Sequence, residues 1–276
     1  MQPLEGFCLA AGLGTRMGPL SQALPKPAWT LRHQTLLQWG FNLLEHQGCR
    51  YRAANTHFKS DCLKALHPES ELLEETVLLG SAGWFPHIAH RVEEALMVWN
   101  ADAVAHEVPF RELRAEHLAS GADLTWLLVP HPGGPWTPVW LDDHHRILPL
   151  GQPGRGPFHF VGASIWSPNM ANMIPQMTTS PTPLGAILPQ IDHRGWVVPS
   201  FPWSEIGHPH ALIEAAQQWA PHHEGRSSSN YLHPSATVQG HFRDCVFGPG
   251  AAPPKDHHDS HAFWFHDQTG QVRINL

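Results

Sequence analysis

The chain has 276 residues, enough for one good core with a small appendage, and a formal charge of −7 with its 17 basic residues scattered. That excludes the basic footprint of a nucleic-acid or anionic-membrane binder. The four cysteines, Cys8, Cys49, Cys62 and Cys245, share no Cys-x-x-Cys spacing, so neither a zinc ribbon nor a disulfide framework is indicated and a reducing cytoplasm fits. No stretch approaches the ~18 uninterrupted apolar residues of a membrane span, and Glu5 interrupts a short N-terminal run that has no basic segment before it. A soluble, unexported cytoplasmic protein is therefore expected. The 23 histidines reduce the negative charge in mild acid but assign no function.

Gly6 to Ala11 predicts a short buried strand, after which Gly12 and Gly14 open a loop and Pro25 and Pro27 prevent an early helix. Leu36, Leu37, Gly40, Leu43 and Leu44 recur at near-helical spacing and predict a helix that ends around Gly48. Tyr51 to Asn55 reads as a strand, Lys59 to Leu66 as a helix, Glu75 to Leu79 as strand or loop, and Phe85 to Val92 as another helix. The apolar run Ala95 to Asn100 stops at Asp102, as a parallel strand does where it ends at a site. Phe110 to Ser120 is an amphipathic helix and Ala122 to Val129 a hydrophobic strand. The Pro/Gly-rich segment from His131 to Pro157 reads as irregular surface with one hairpin, Trp140 to Ile147. Phe158 to Trp166 resumes as a strand, and Ala211 to Trp219 is a last helix.

Alternating strands and helices predict an α/β, Rossmann-like doubly wound mixed sheet, whose ligands lie outside the carboxyl ends of the strands. Residues 1–220 form the main domain, 221–230 a Ser-rich linker and 231–276 an extension. In the extension, Val238, Phe242 and Val246 recur among small residues, resembling one coil of a left-handed parallel β-helix. Since about three repeats are needed to bury a solenoid core, it must lean on the main domain or on another chain, so a homo-oligomer through this extension is one expectation.

The loop LAAGLGTRMGPLSQALPKP (9–27) admits three readings. A Walker A loop fails, because Lys26 lies well beyond the glycines and precedes Pro27. A Rossmann fingerprint is weak: Gly18 comes one place late, and Asn55, not an acidic residue, follows the second strand. The third is a backbone cradle for a nucleotide, in which glycine-turn amides meet anionic oxygens, Arg16 grips phosphate as a fork and Lys26 acts as a point charge.

Gly12-Leu-Gly14-Thr-Arg16-Met-Gly-Pro19-Leu20-Ser followed by Pro25-Lys26-Pro27 resembles the signature of the sugar-1-phosphate nucleotidyltransferases, such as mannose-1-phosphate guanylyltransferases and N-acetylmuramate-1-phosphate uridylyltransferases. Leu79-Gly80-Ser81-Ala82-Gly83 is similar to the family's segment beside the base, and Trp99-Asn100-Ala101-Asp102 to its metal-holding strand end. Phe160-Val-Gly162 resembles the strand lining the sugar pocket, and Trp203-Ser-Glu205-Ile-Gly207-His-Pro209 a family Trp-x-Asp-Ile-Gly-Thr-Pro. The likeness runs from about residue 4 to 219.

The resemblance implies a nucleotidyltransferase-type fold and transfer of a nucleotidyl group from an NTP to a sugar 1-phosphate, with pyrophosphate leaving. Arg16 would hold the triphosphate, Lys26 the α-phosphate and sugar phosphate, and Asp102 with Glu205 a Mg²⁺ ion. Ala10, Ala11, Gly12, Gly14, Thr15, Gly80 and Ser81 would bind the nucleotide, and Asn55 and Gly162 the sugar, although a turn-capping Asn55 is an equal alternative. No nucleic-acid or membrane partner is implied. Glu205 stands where the family has Asp, and its extra methylene, about 1.5 Å, puts activity in doubt. The alternative is thus an attenuated or regulatory homologue that binds nucleotide. Gly151-Gln152-Pro153 replaces a family Glu-Lys-Pro sugar contact. Glu74-Glu75 offer a carboxylate to guanine, a slight lean to GTP. The tail stretch Asp256-His257-His258-Asp259-Ser-His261 has metal-ligand atoms but is read as solvated surface, and the tryptophans, among them Trp29, Trp84 and Trp99, as core.

Overall fold

The computed structural model describes residues 2–31, 33–134, 136–149, 151–174, 181–219, 230–255, 257–267 and 269–276. The expected linker therefore lies outside the described residues, Asn230 excepted.

The Gly6–Leu9 strand forms because its residues are almost wholly buried, as a parallel strand covered on both faces must be. It pairs in parallel with Arg52–Thr56 on one side and Leu96–Asn100 on the other. The register sets Leu9 opposite both Asn55 and Asn100, so three carboxyl ends finish in one row. Because the chain builds outward on one side of Gly6–Leu9 before crossing to the other, this row is the switch point of the sheet, where a crevice opens. Arg155–Trp166 runs antiparallel to both Leu96–Asn100 and Leu124–Pro130, making the sheet mixed. Helix Leu36–His46, capped by Thr35 accepting the Gln38 N–H at 3.0 Å, and helix Phe110–Ser120 cover one face through Leu37, Phe41, Leu44, Phe110 and Leu113.

Several elements differ from expectation. The stretch expected as a helix from Phe85 to Val92 is two short 3₁₀ turns, Phe85–His87 and Ala89–Arg91. Pro86 supplies no N–H, and the turn bonds, His87 N–H to Trp84 O among them, run back three residues rather than four. The second face of the sheet is covered by these turns and by Met170, Ile174 and Ile187, which pack with the strand residue Trp166, rather than by long helices. Glu71–Glu74 is a sheet-edge strand and Glu75 to Leu79 a loop. Its charged ends hid it from a search for apolar runs, as charged edge strands do. Of the expected hairpin, the Val139–Leu141 strand and the bridge between Leu141 and Ile147 are present.

In the tail, Tyr231–Leu232, Val246–Phe247 and Ala262–Asp267 stack in parallel, as do Gly240–Arg243 and His257–Ser260. The last strand, Gly270–Asn275, turns back antiparallel and so departs from a solenoid coil. The tail leans on its own main domain: Tyr231, Val246, Phe263 and Phe265 share a core with Met17, Leu20, Trp29 and Leu212. The buried Tyr231 hydroxyl accepts the Thr30 N–H and donates to the Thr30 carbonyl at 3.0 Å. No described helix is long and apolar enough to cross a membrane.

Candidate functional site

The loop leaves the sheet at Ala10, whose N–H donates to Asn55 Oδ1 at 2.7 Å. Gly14, in the left-handed region at φ 64°, starts the 3₁₀ turn Thr15–Met17 and sends Arg16 outward. Pro25 then holds an extended backbone before the turn Lys26–Ala28, which brings Lys26 back beneath the loop. There Lys26 Nζ donates to Asp102 Oδ2 at 2.6 Å, with the two side chains only 12% and 20% exposed. Asp102 follows the Leu96–Asn100 strand and accepts the Ile206 N–H on its carbonyl. The Trp203–Glu205 strand pairs Glu205 with Ala103, which sets Glu205 beside Asp102. Burial, and then the charge of Asp102, push the Glu205 carboxyl above its ordinary value against the pull of Arg16 and Lys26. Arg16 Nη2 stands 3.4 Å from Glu205 Oε1, close over Gly207.

A cavity of about 300 Å³ opens at the switch point, lined by Ala10, Ala11, Gly12, Lys26, Asn55, Gly80, Ser81 and Asp102, with Trp84 and Asn100. Eight of the residues singled out in the sequence thus share one wall. Gly14, Thr15, Arg16, Gly162 and Glu205 are not in that lining; Glu205 is set beside Asp102 by its pairing with Ala103, and Arg16 is paired with Glu205. Gly80 (φ 81°) packs so closely on Thr182 that a Cβ would meet its carbonyl oxygen at 2.8 Å. Ser81 Oγ accepts the Leu184 N–H at 2.7 Å. Both therefore also tie the Leu79–Gly83 turn to the 182–184 segment. Gly162 packs on the Asn100 side chain where the strand's register shifts.

The buried Asn55 also donates from Nδ2 to Glu75 Oε1 at 2.7 Å, and Glu75 Oε2 accepts the Leu79 N–H at 2.8 Å. This chain ties the first loop to the turn at Gly80, so Asn55 braces two walls of the cavity. Glu74 instead points outward to Lys64. Burial is the leading effect on Glu75 and raises its pKa above the ordinary value. Behind Glu75 lies a second cavity of about 400 Å³ bordered by Phe7, Leu73, Trp84 and Ile88. Sequence reasoning gave Trp84 no role, yet it borders both cavities; its position after the Gly80–Gly83 turn was the available signal.

Beside Glu205 stands an aromatic group that the sequence did not reveal. Trp203 stacks on His159 at 5.0 Å and 13°, and Trp136 packs on the same ring at 5.0 Å. Burial, then His131, pushes the His159 pKa down to about 4. In the tail, Asp259 is engaged by Arg273 and Trp264, and His258 stacks on His241. Asp256 lies outside the described residues, and among the described residues no three His, Cys, Asp or Glu side chains converge on a metal position.

No protein-family model and no curated protein matches the sequence. Solved structures do share its fold. HddC from Yersinia pseudotuberculosis is 20% identical, with 78% of this chain and 99% of that one covered at a TM-score of 0.66. The same protein complexed with GMP-PN aligns over the same shares at 20% identity and 0.65. The inositol-1-phosphate CTP transferase from T. maritima is 16% identical, with 82% of this chain and 99% of that one covered at 0.61. The fold is thus one that a nucleotidyl-transferring enzyme uses.

Proposed function

We propose that this chain is a sugar-1-phosphate nucleotidyltransferase, which moves a nucleotidyl group from an NTP to a sugar 1-phosphate in a Mg²⁺-dependent reaction. The observation that carries this reading is the meeting of Lys26 and Asp102 at 2.6 Å in the cavity wall shared with the Ala10–Gly12 backbone. Such chemistry needs positioning and charge neutralisation more than covalent help. An acceptor phosphate oxygen attacks the α-phosphorus in line; as that P–O bond forms, the bond to the β-phosphate breaks and its electron pair leaves on pyrophosphate.

Lys26 then holds the α-phosphate and the incoming phosphate, and Arg16 the leaving pyrophosphate. Asp102 and Glu205 are hard oxygen donors, close enough for one charge to act on the other, and so fit Mg²⁺. When bound, Mg²⁺ supplies neutralisation of phosphate charge. Gly80 and Ser81 border the base, while Gly162 and the Trp203–His159–Trp136 group border the acceptor. The GMP-PN complex of one neighbour and the CTP and inositol 1-phosphate in the name of another support a nucleotide and a phosphorylated polyol as ligands. Glu74 is drawn to Lys64 and both Glu75 oxygens are engaged by Asn55 and the Leu79 N–H, so the slight lean to GTP finds no free carboxylate at this cavity. The parallel tail pairings support a short β-helix-like extension, and the free cysteines a cytoplasmic setting.

Pyrophosphate release, measured for each common NTP against a panel of sugar 1-phosphates with Mg²⁺, tests the reading. Turnover with one pair is expected, and none with any pair overturns it. A second reading, an attenuated homologue that still binds nucleotide, rests on Glu205, whose longer arm reaches Arg16.

A further inference from the structure

The four charged side chains of the site stand as two ion pairs, each joining a residue expected to hold phosphate to one expected to hold the cation. Lys26 and Asp102 form a short, largely buried pair at 2.6 Å. Arg16 and Glu205 form a longer one at 3.4 Å, with the arginine 65% exposed. The groups expected to hold phosphate are therefore already held by the groups expected to hold the cation. We propose that these pairs make divalent-cation and triphosphate binding mutually dependent, each ligand releasing the residues that the other needs. The proposal rests on the nucleotidyl-transfer reading of the site.

The argument follows the charges. A triphosphate that recruits Lys26 without a metal leaves the Asp102 carboxylate uncompensated, partly buried, beside Glu205 and facing the incoming phosphates. A cation that takes the carboxylates alone displaces the Lys26 ammonium and leaves it unpaired beside a second positive charge. When both arrive, the lost Lys26–Asp102 pair is replaced by two contacts, cation on carboxylate and ammonium on phosphate. The coupling is reciprocal, since a factor by which the metal tightens the triphosphate is the factor by which the triphosphate tightens the metal. It concentrates in Lys26–Asp102, because the Arg16–Glu205 pair is exposed and screened by solvent. In the cell, such a lock keeps metal-free phosphates out of the cradle.

The proposal reverses the usual expectation for a metal ligand. Asp102→Asn, although it removes a cation ligand, should tighten metal-free triphosphate by about tenfold, the scale of one charge-assisted contact. Lys26→Met, although it removes a cavity cation, should tighten the divalent ion alone by a similar factor.

Calorimetry with inorganic tripolyphosphate and with GTP, each in excess EDTA and in Mg²⁺, reads the first arm. Paramagnetic titration with Mn²⁺ and no nucleotide reads the second. Circular dichroism checks that each variant folds, and the two arms use different variants, so one misfolded protein leaves the other decisive. Metal-free affinity unchanged or lower in Asp102→Asn, or Mn²⁺ affinity unchanged or lower in Lys26→Met, overturns the proposal. If no nucleoside triphosphate binds the wild type even with Mg²⁺, the nucleotidyl-transfer reading falls instead. The Mn²⁺ arm needs no nucleotide and still decides whether the ion pair competes with the cation.

Discussion

Lys26→Ala separates catalysis from binding more cleanly than any other change in the cavity. The ammonium lies 2.6 Å from Asp102, with its side chain 12% exposed, so its removal takes a charge from a place that water screens poorly. A hydrogen bond to a charged group is worth ~1.5–3 kcal/mol, which is roughly ten- to a hundredfold in a rate or affinity. If Lys26 serves the α-phosphate and the attacking phosphate together, its charge counts most where negative charge builds up in the transition state. Turnover should then fall by the larger factor and nucleotide affinity by the smaller. The assay is steady-state pyrophosphate release, fitted for kcat and KM separately, beside calorimetric NTP binding in Mg²⁺. Loss of Mg²⁺ affinity is not the cause expected, because freeing Asp102 favours the cation. Equal kcat in wild type and Lys26→Ala, in protein that remains folded, would refute the placement of Lys26 at the reacting phosphate.

Glu205→Asp shortens the carboxylate arm by about 1.5 Å, and since ~1 Å of misplacement can cost about a hundredfold, turnover should rise by tenfold or more if the natural side chain holds the cation off its best position; unchanged turnover in an active wild type removes the attenuated reading. Asn55→Leu leaves the Ala10 N–H and one oxygen of the buried Glu75 without partners, so unfolding in urea should show a loss of about 1–3 kcal/mol per stranded group, and the KM for NTP should rise. Acid should destabilise the fold through three buried imidazoles. Burial leads in depressing the pKa values of His117 and His159 to about 4 and of His193 to about 3. Their stabilising contribution is complete above the unfolded value near 6.5 and is lost as pH falls toward the folded values. The slope is about 1.4 kcal/mol per pH unit for each ring. His193→Phe, which replaces a ring with two unpartnered nitrogens, should flatten the fall in denaturation midpoint between pH 6.5 and 4; an unchanged slope contradicts a neutral buried His193.

What the sequence made legible was local. Gly12, Lys26 and Asp102 were readable because glycines, a lone cation and a carboxylate at strand ends are residue types with few other uses there, and helix Phe110–Ser120 because its apolar positions repeat with the right period. The brace of Asn55 and Glu75 was not readable, since its force comes from a register that sets Leu9 opposite Asn55 and brings Ala10 to its side chain. Neither was the stacking of Trp203 on His159, residues 44 positions apart whose contact is created by sheet topology. The ion pairs show the same limit in its sharpest form. The chemistry of the first loop proposed Arg16 and Lys26 for phosphate, and the family resemblance implied Asp102 and Glu205 for a cation. Only the fold reveals that the two sets face each other, with Lys26 held 76 residues from its partner. In water, opposite charges at such separation along a chain have no reason to pair; at a partly buried crevice, a lysine and an aspartate without a ligand have little else to do. The competition between ion pair and ligand is thus a property of the crevice rather than of any motif.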